Sequence, residues 1–152
     1  MAFYYRVFLA LAVLVGITAP SAHARENAAV QVSSGISYEL IGRWDADKLN
    51  QILKVDAPKF FGTAISATPA RNAVRLYRVT YSSVIPERGN KPTIASGLIA
   101  IPDTKAATFP MLSYQHGTVY EKEQVPSFPD QSPETQLVLA QFAGQGYVVI
   151  GA

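Results

Sequence analysis

Residues 109–152 (FPMLSYQHGTVYEKEQVPSFPDQSPETQLVLAQFAGQGYVVIGA) contain a strand–helix–strand pattern. Phe109–Gln115 is predicted to form a strand, and Ser132–Glu134 combines a cap hydroxyl, a first-turn proline and an acid that favour a helix start. Gly144–Gly146 is expected to end that helix. Tyr147–Ile150 is a continuous apolar run, typical of a strand buried on both faces of a parallel sheet. The two strands are therefore expected to be parallel and joined by a right-handed βαβ crossover.

Upstream of this unit, the hydrophobic period changes to two from Val74 onward. One face of the predicted strand then carries Tyr77, Val79 and Tyr81, and the other carries Leu76, Arg78 and Thr80. This alternation predicts a half-buried strand. Pro86–Pro92 has the residues of a turn, and Thr93–Ile101 is predicted to be a second strand. Because a short loop joins them, the two strands are expected to be antiparallel neighbours.

The segment before Val74 is expected to be a lead-in with a single helix. Arg25–Gly42 is small and polar and is interpreted as irregular. Asp45–Asp56 is predicted to be a helix that Asp45 caps and Pro58 ends, with one apolar face formed by Leu49, Ile52 and Leu53. Phe60 and Phe61 are expected to pack this helix onto the edge of the domain. Trp44 is interpreted as a packing residue, with ligand binding as the less favoured alternative.

The first residues have the pattern of a signal peptide. One positive charge at Arg6 precedes the apolar run Val7–Ile17, and Ala22–Ala24 offers small residues at the positions that a signal peptidase requires. The apolar run is about 11 residues, shorter than the roughly 20 that span a bilayer as a helix. We therefore predict cleavage before Arg25, a secreted or periplasmic protein, and no stable membrane anchor.

Composition excludes several classes of protein. The chain has 13 Lys+Arg and 11 Asp+Glu, so 13 − 11 = +2, with 49% apolar residues and no cysteine. A disordered chain would be less apolar, a disulfide scaffold needs cysteines, and a nucleic-acid partner requires a strong basic excess. After cleavage the only histidine is His116, so no metal is expected. No phosphate-binding or dinucleotide-binding glycine motif is present either, so no cofactor is expected.

His116, Gly117 and Thr118 are the candidate site residues. They follow the predicted Phe109–Gln115 strand, where glycine lets a backbone turn sharply and approach a ligand, and where backbone N–H groups can face a developing oxyanion. The same tripeptide also fits a plain strand-terminal turn with a hydrogen-bonded histidine. No Gly-x-Ser-x-Gly occurs; the nearest candidate, Gly35–Glu39, lacks the second glycine. The sequence thus shows no serine nucleophile.

Two segments, Ser113–Thr118 and Phe142–Ala152, together with the order of elements, resemble the N-terminal half of an α/β-hydrolase. Exported bacterial lipase- and esterase-like members are the most similar, over roughly Val74–Ala152. The resemblance implies a serine hydrolase of small-molecule or lipid carboxylic esters. It also implies that Gly117 and Thr118 form the oxyanion hole and that His116 shapes the loop. The catalytic serine, acid and histidine would follow Ala152, in that chain order.

The expected organisation is therefore α/β, with a signal peptide (1–24), a helical lead-in (25–73) and the N-terminal half of a hydrolase domain (74–152). We expect segment 25–152 alone to be inert and poorly soluble, because only one edge of the Tyr147–Ala152 strand can be covered. A peptidase of the same superfamily is an alternative. Another is a small exported, non-catalytic binding protein that uses loop 121–133, with Tyr120 and Phe128. The favoured interpretation of that loop is a solvated connection, and a lid over the active site comes second. Oligomeric state is not predicted.

Overall fold

The computed structural model describes residues 28–152, so the predicted signal peptide and its cleavage site lie outside the described residues. Six strands form one sheet: β1 (Val30–Ser33), β2 (Ile36–Trp44), β3 (Val74–Ile85), β4 (Lys91–Pro102), β5 (Met111–Tyr114) and β6 (Val148–Gly151). Three short α-helices accompany them: α1 (Ala46–Gln51), α2 (Ala57–Phe61) and α3 (Pro133–Gln141). None of the helices within residues 28–152 has the length and apolarity needed to cross a bilayer.

The strands are ordered β1-β2-β3-β4-β6-β5 across the sheet. β3 and β4 are antiparallel neighbours along their whole length, and β5 and β6 are parallel, as the sequence predicted. However, β6 lies inside the sheet, where Ile150 pairs with Ile99 of β4 on one side and with Ser113 of β5 on the other. The expectation that only one edge of the Tyr147 strand is covered was therefore wrong, because β4 pairs with one edge of β6 and β5 pairs with the other. Among residues 28–152, β5 is the strand left at that edge.

The interpretation of Arg25–Gly42 as irregular was wrong for its described part, which forms β1 and most of β2. The two strands form a hairpin in which Gly35 adopts a left-handed φ of +78°. β2 then pairs with β3, and the Ser37 and Thr80 hydroxyls lie 2.8 Å apart. The strand period is present in Ile36, Tyr38 and Leu40, but Ser37 and Glu39 interrupt the apolar run between them. Pairing with β3 therefore stabilises β2 as a strand, although its local composition does not predict one.

The helical lead-in begins as predicted and ends later. The Asp45 carboxylate accepts a hydrogen bond from the Lys48 backbone N–H at 2.8 Å, and the buried face consists of Leu49, Ile52 and Leu53. Pro58 does not end the helix: the chain passes through a π-helical turn, Ile52–Asp56, into α2 and stops at Gly62. Pro58 lies in the first turn of α2, where a missing N–H costs little.

The aromatic residues around these helices behave differently from one another. Trp44 is 4% exposed, and the Lys48 ammonium lies 4.0 Å from its ring centroid, so the packing interpretation is confirmed. Phe60 and Phe61 are 62% and 41% exposed and contact each other edge-to-face, with ring centroids 4.9 Å apart. The expectation that they pack the helix onto the domain edge was wrong, because the helix continues past Pro58 and carries them outward.

The core lies between one face of the sheet and the helices, and its fully buried side chains include Leu49, Val74, Leu76, Leu98, Leu139 and Val149. Gly144, after α3, permits a close backbone contact, since a Cβ there would lie 2.6 Å from the Ala70 Cβ. Its carbonyl oxygen accepts hydrogen bonds from the backbone N–H groups of Arg71 and Asn72. These contacts fix the chain just before β3 against the end of α3. The helix itself is capped by Ser132 and followed by Gly146 at φ +106°, as the sequence predicted.

Asp103 joins the ends of three strands, and its removal should produce a pH-dependent loss of stability. Its carboxylate accepts a hydrogen bond from Arg43 Nε at 2.8 Å and lies 3.4 Å from Arg75 Nε. The Arg43 hydrogen bond, with smaller attraction from both arginines, holds the pKa of Asp103 below its ordinary value against the opposing effect of burial. A depressed carboxyl pKa stabilises the fold above the unfolded-state value of about 3.9 and ceases to do so as pH falls through the folded-state value.

We therefore expect Asp103→Asn to lower the melting temperature at neutral pH, and we expect the difference from the wild type to shrink as the pH falls below the unfolded-state value and through the lower folded-state value. Thermal melts followed by circular dichroism across pH test this. A difference between the two proteins that stays constant through this acidic range would contradict the linkage.

Candidate active site

The candidate site lies where the parallel strands β5 and β6 end together, because Tyr114 is in register with Gly151. The Ala152 N–H also donates to the Tyr114 carbonyl oxygen at 3.4 Å. Residues 115–118 follow β5 directly, so the His-Gly-Thr stretch emerges at the carboxyl edge of the sheet beside the end of β6. Ligands of open α/β sheets bind at this edge. The predicted placement is confirmed, while the oxyanion role stays a prediction.

His116 is partly buried and contacts the backbone of its own loop. Its Nδ1 lies 2.6 Å from the Gly117 carbonyl oxygen. Because a carbonyl oxygen only accepts, this contact requires the proton on Nδ1. The ring is therefore held against the loop, an arrangement suited to shaping it.

The two candidate backbone donors differ in their surroundings. The Gly117 N–H already donates to Glu134 Oε2 at 3.3 Å. Thr118 is exposed, and among residues 28–152 its N–H has no hydrogen-bond acceptor. Gly117 has no left-handed φ, so the sharp-turn argument for this glycine was wrong. A Cβ at Gly117 would meet only Glu134 Oε2, at 3.7 Å.

The first turn of α3 brings Glu134 to the loop. Ser132 Oγ accepts from the Thr135 N–H at 3.3 Å and lies 2.8 Å from the Thr135 hydroxyl, so the turn is capped and Ser132 and Thr135 are buried. The sequence identified Glu134 only as an acid near a helix start. Its contact with Gly117 spans 17 residues and depends on the crossover between β5 and β6.

Tyr114 places a buried hydroxyl beneath the same turn. The residue is 8% exposed, and its hydroxyl makes no hydrogen bond of acceptable geometry within the described residues. Burial raises the pKa of Tyr114 to about 12; the Thr135 hydroxyl opposes this shift, and the Glu134 carboxylate adds to it. The hydroxyl therefore keeps its proton at physiological pH.

The loop between β5 and α3 is fixed to the sheet rather than solvated along its length. Pro126, Ser127 and Pro129 are buried. Arg78 Nε donates to the Ser127 carbonyl oxygen at 3.0 Å, and the Ser127 and Ser96 hydroxyls lie 2.8 Å apart. The interpretation of loop 121–133 as a solvated connection was therefore wrong for this part, because Arg78 provides an anchor that the loop sequence does not show.

Arg78 is itself held by two partners. Its guanidinium lies 3.0 Å from the Glu39 carboxylate and 4.6 Å from the centroid of the Phe128 ring. Tyr120, by contrast, is 97% exposed at the beginning of the loop. The anchored half of the loop, residues 126–129, thus forms a wall beside the carboxyl edge. The side chain of Tyr120, two residues after Thr118, projects into solvent.

Glycines allow the loop to pack on the end of β6. A Cβ on Gly151 would lie 2.7 Å from the Pro126 Cβ. A Cβ on Gly97, in β4, would lie 2.8 Å from the Gly151 carbonyl oxygen. These close approaches set the position of β6 relative to the loop and therefore the shape of the carboxyl edge.

Other candidate sites lie elsewhere or do not form. Among residues 28–152, no three His, Cys, Asp or Glu side chains lie close enough together to hold a metal ion. A groove of about 400 Å³ occupies the sheet face opposite the core and is lined by apolar side chains, including Tyr38, Tyr77 and Ile99. It does not include residues 115–118, so it is separate from the carboxyl edge.

Solved structures share this architecture. A protein from Legionella pneumophila, whose assignment as a hydrolase is provisional, is 27% identical over 80% of the chain, with a TM-score of 0.56. The rice cell wall degrading esterase LipA from Xanthomonas oryzae is 21% identical over 82% of the chain, with a TM-score of 0.53. The chain has a hydrolase-like fold.

The hydrolase-like chain spans less than a third of both structures, covering 29% of the Legionella chain and 28% of LipA. No family model matches the sequence, and no curated protein matches it significantly. The likeness to LipA concerns the fold alone. That likeness therefore assigns no catalytic activity to the hydrolase-like chain.

Proposed function

We propose that the chain forms part of an exported serine hydrolase that cleaves carboxylic esters by acyl transfer. The observation that carries the proposal is the Thr118 N–H, which belongs to an exposed residue, has no acceptor within residues 28–152 and lies at the carboxyl edge of a hydrolase-like sheet. Acyl transfer passes through a tetrahedral intermediate whose oxyanion needs such a preorganised donor. His116 supports the role by holding the loop through the Gly117 carbonyl oxygen.

In the proposed reaction a serine attacks the ester carbonyl while a histidine, oriented by an acid, takes the serine proton and gives it to the departing alcohol. Water, activated by the same histidine, then hydrolyses the acyl-enzyme, which releases the carboxylic acid and restores the serine. The proposal assigns these three residues to positions beyond Ala152, since no Gly-x-Ser-x-Gly occurs in the sequence. The part of the chain that the structure describes supplies the oxyanion donor and the anchored wall of the site. One oxyanion donor is worth about 2.7–4 kcal/mol of barrier. The substrate is a small-molecule or lipid ester.

The test uses the protein from its complete reading frame. We expect it to hydrolyse a short-chain p-nitrophenyl ester and to be labelled by a fluorophosphonate on a single serine outside residues 1–152. Mass spectrometry of the labelled peptides identifies that serine. Absence of both turnover and labelling, or a label on a serine within residues 1–152, would contradict the proposal. Faster cleavage of a matched p-nitroanilide would instead favour the peptidase alternative.

Export is a separate part of the proposal, and it rests on the apolar run Val7–Ile17 and the small residues of Ala22–Ala24. We expect N-terminal sequencing of the mature protein to begin at Arg25, in the periplasm or the medium. A product that begins at Met1 and sediments with membranes would show that the segment is retained.

A non-catalytic binding protein is the second candidate function, and the 97% exposure of Tyr120 favours it. The loop that follows Tyr120 is anchored to the sheet where Arg78 contacts Ser127 and Phe128. A partner could therefore contact Tyr120 and Phe128 on a loop whose second half is fixed. The discriminating observation is whether the reading frame continues past Ala152 into a Gly-x-Ser-x-Gly. A stop codon at that point would favour the binding protein.

A further inference from the structure

The carboxylate of Glu134 contacts the loop that the proposed function uses. Glu134 is the acid in the first turn of α3, and its Oε2 accepts the Gly117 N–H at 3.3 Å. Two capping contacts from Ser132 to Thr135 hold that turn in place. The loop and the helix are therefore joined one residue before Thr118.

This contact decides which of the two candidate donors is available. A backbone N–H that donates to a carboxylate makes a charge-assisted hydrogen bond, which is stronger than a neutral one. An oxyanion would have to displace that carboxylate in order to use the Gly117 N–H, and like charges close together repel. The Thr118 N–H has no acceptor among the described residues, so it can receive an oxyanion with the Glu134 contact intact.

The surroundings of Glu134 favour a fixed carboxylate at this position. The positive end of the α3 dipole and the cap lie on one side. The helix dipole and the cap therefore stabilise the carboxylate in its position against the loop, although Glu134 itself is exposed.

We propose that Glu134 is a positioning residue: its carboxylate holds the Gly117 N–H and thereby orients the next peptide, so that Thr118 supplies the oxyanion donor. This inference rests on the proposed function and deepens it. The Gly117 N–H then has a structural role, and the Thr118 N–H is the donor to the oxyanion.

The contact has a direct spectroscopic test that does not depend on activity. His116–Gly117 is the only His-Gly pair in residues 1–152, so carbonyl-labelled histidine with nitrogen-labelled glycine marks the Gly117 amide, and in the complete protein its signal is the one that Gly117→Ala removes. In the protein from the complete reading frame, Glu134→Ala should speed hydrogen exchange of this amide about tenfold, the loss expected for one charge-assisted hydrogen bond. Glu134→Gln keeps an acceptor oxygen and should restore most of the protection.

Asp47→Ala is the matched control, because Asp47 is the exposed acid in the first turn of α1 and, within residues 28–152, makes no side-chain hydrogen bond or ion pair to residues 115–118. It should leave the Gly117 amide unchanged. If Glu134→Ala leaves the Gly117 amide unchanged, or if in uniformly nitrogen-labelled protein it speeds exchange of the α3 amides to the same extent, Glu134 does not specifically hold the loop and the proposal is overturned.

Kinetics separate this inference from the proposed function. Glu134→Ala should lower kcat for the ester several-fold with little change in KM, and Glu134→Gln should recover it. A rise in kcat would mean that the carboxylate competes with the oxyanion, which overturns positioning. If the wild-type protein does not cleave esters at all, the proposed function fails, while the amide measurement still decides whether Glu134 holds the loop.

Discussion

Replacing Thr118 with proline is expected to lower kcat for ester hydrolysis by about two to three orders of magnitude, the usual effect of losing one oxyanion donor. Proline removes the backbone N–H and leaves the chain otherwise continuous. KM should change only slightly, because the donor acts on the charge that develops in the transition state. Steady-state kinetics with a p-nitrophenyl ester measures both parameters.

The control for this variant is Thr118→Ala, which keeps the N–H and removes only an exposed side chain. We expect its kcat to stay close to that of the wild type. Thermal melts show whether the proline variant is folded. A folded Thr118→Pro protein with wild-type kcat, or a Thr118→Ala protein with an equally large loss, would exclude the Thr118 N–H as the donor.

Replacing Gly97 with alanine should destabilise the fold by about 1–3 kcal/mol, the range for an overpacked site. The new Cβ would lie 2.8 Å from the Gly151 carbonyl oxygen, which is backbone and cannot rotate away. β4 and β6 would have to separate at the end of the sheet where residues 115–118 emerge. We therefore expect a lower free energy of unfolding and, in the active protein, a lower kcat as well.

Gly42→Ala is the matched control, since Gly42 also lies within a strand and a Cβ there would meet no atom within 4 Å. Neither glycine has a left-handed φ, so backbone strain affects neither variant. Chemical denaturation should place Gly42→Ala within about 0.5 kcal/mol of the wild type. Equal stability of the two variants would show that the β4–β6 approach is not tight.

Local patterns predicted the elements that local interactions determine. Ser132–Glu134 carries its own cap, proline and acid, and α3 begins there. The period-two alternation after Val74 predicted β3, which extends to Ile85. The apolar run at Tyr147 predicted a parallel strand buried on both faces. β6 is parallel to β5 but antiparallel to β4, and only Val149 and Gly151 are buried, while Val148 and Ile150 are half-buried. In each case the signal lies within the residues that form the element.

The rest of the fold depends on partners distant in the sequence. β2 looks irregular from composition, and its strand becomes evident from the register of Tyr38 with Val79. The position of β6 between β4 and β5 follows from topology, which no local window contains. The continuation of the helix past Pro58 depends on a π-helical turn that shifts the hydrogen-bond register before the proline.

The candidate site shows the same division. His116–Thr118 could be located from the sequence because it follows a predicted strand and resembles a known loop. The Glu134 contact with Gly117 and the Arg78 contact with Ser127 span 17 and 49 residues, and neither has a local signal. A hydrogen bond between a carboxylate and a distant backbone N–H becomes predictable only when the crossover is known.

We expect the Thr118 N–H to receive the oxyanion. The decisive measurement is a structure of the complete protein with a covalent phosphonate on its serine. A phosphonate oxygen imitates the oxyanion of the tetrahedral intermediate. We expect this phosphonate oxygen to lie about 2.7–3.1 Å from the Thr118 nitrogen, the distance typical of an oxyanion hole. The Gly117 N–H should still donate to Glu134. A phosphonate oxygen held by other donors, with the Thr118 N–H directed elsewhere, would contradict the account.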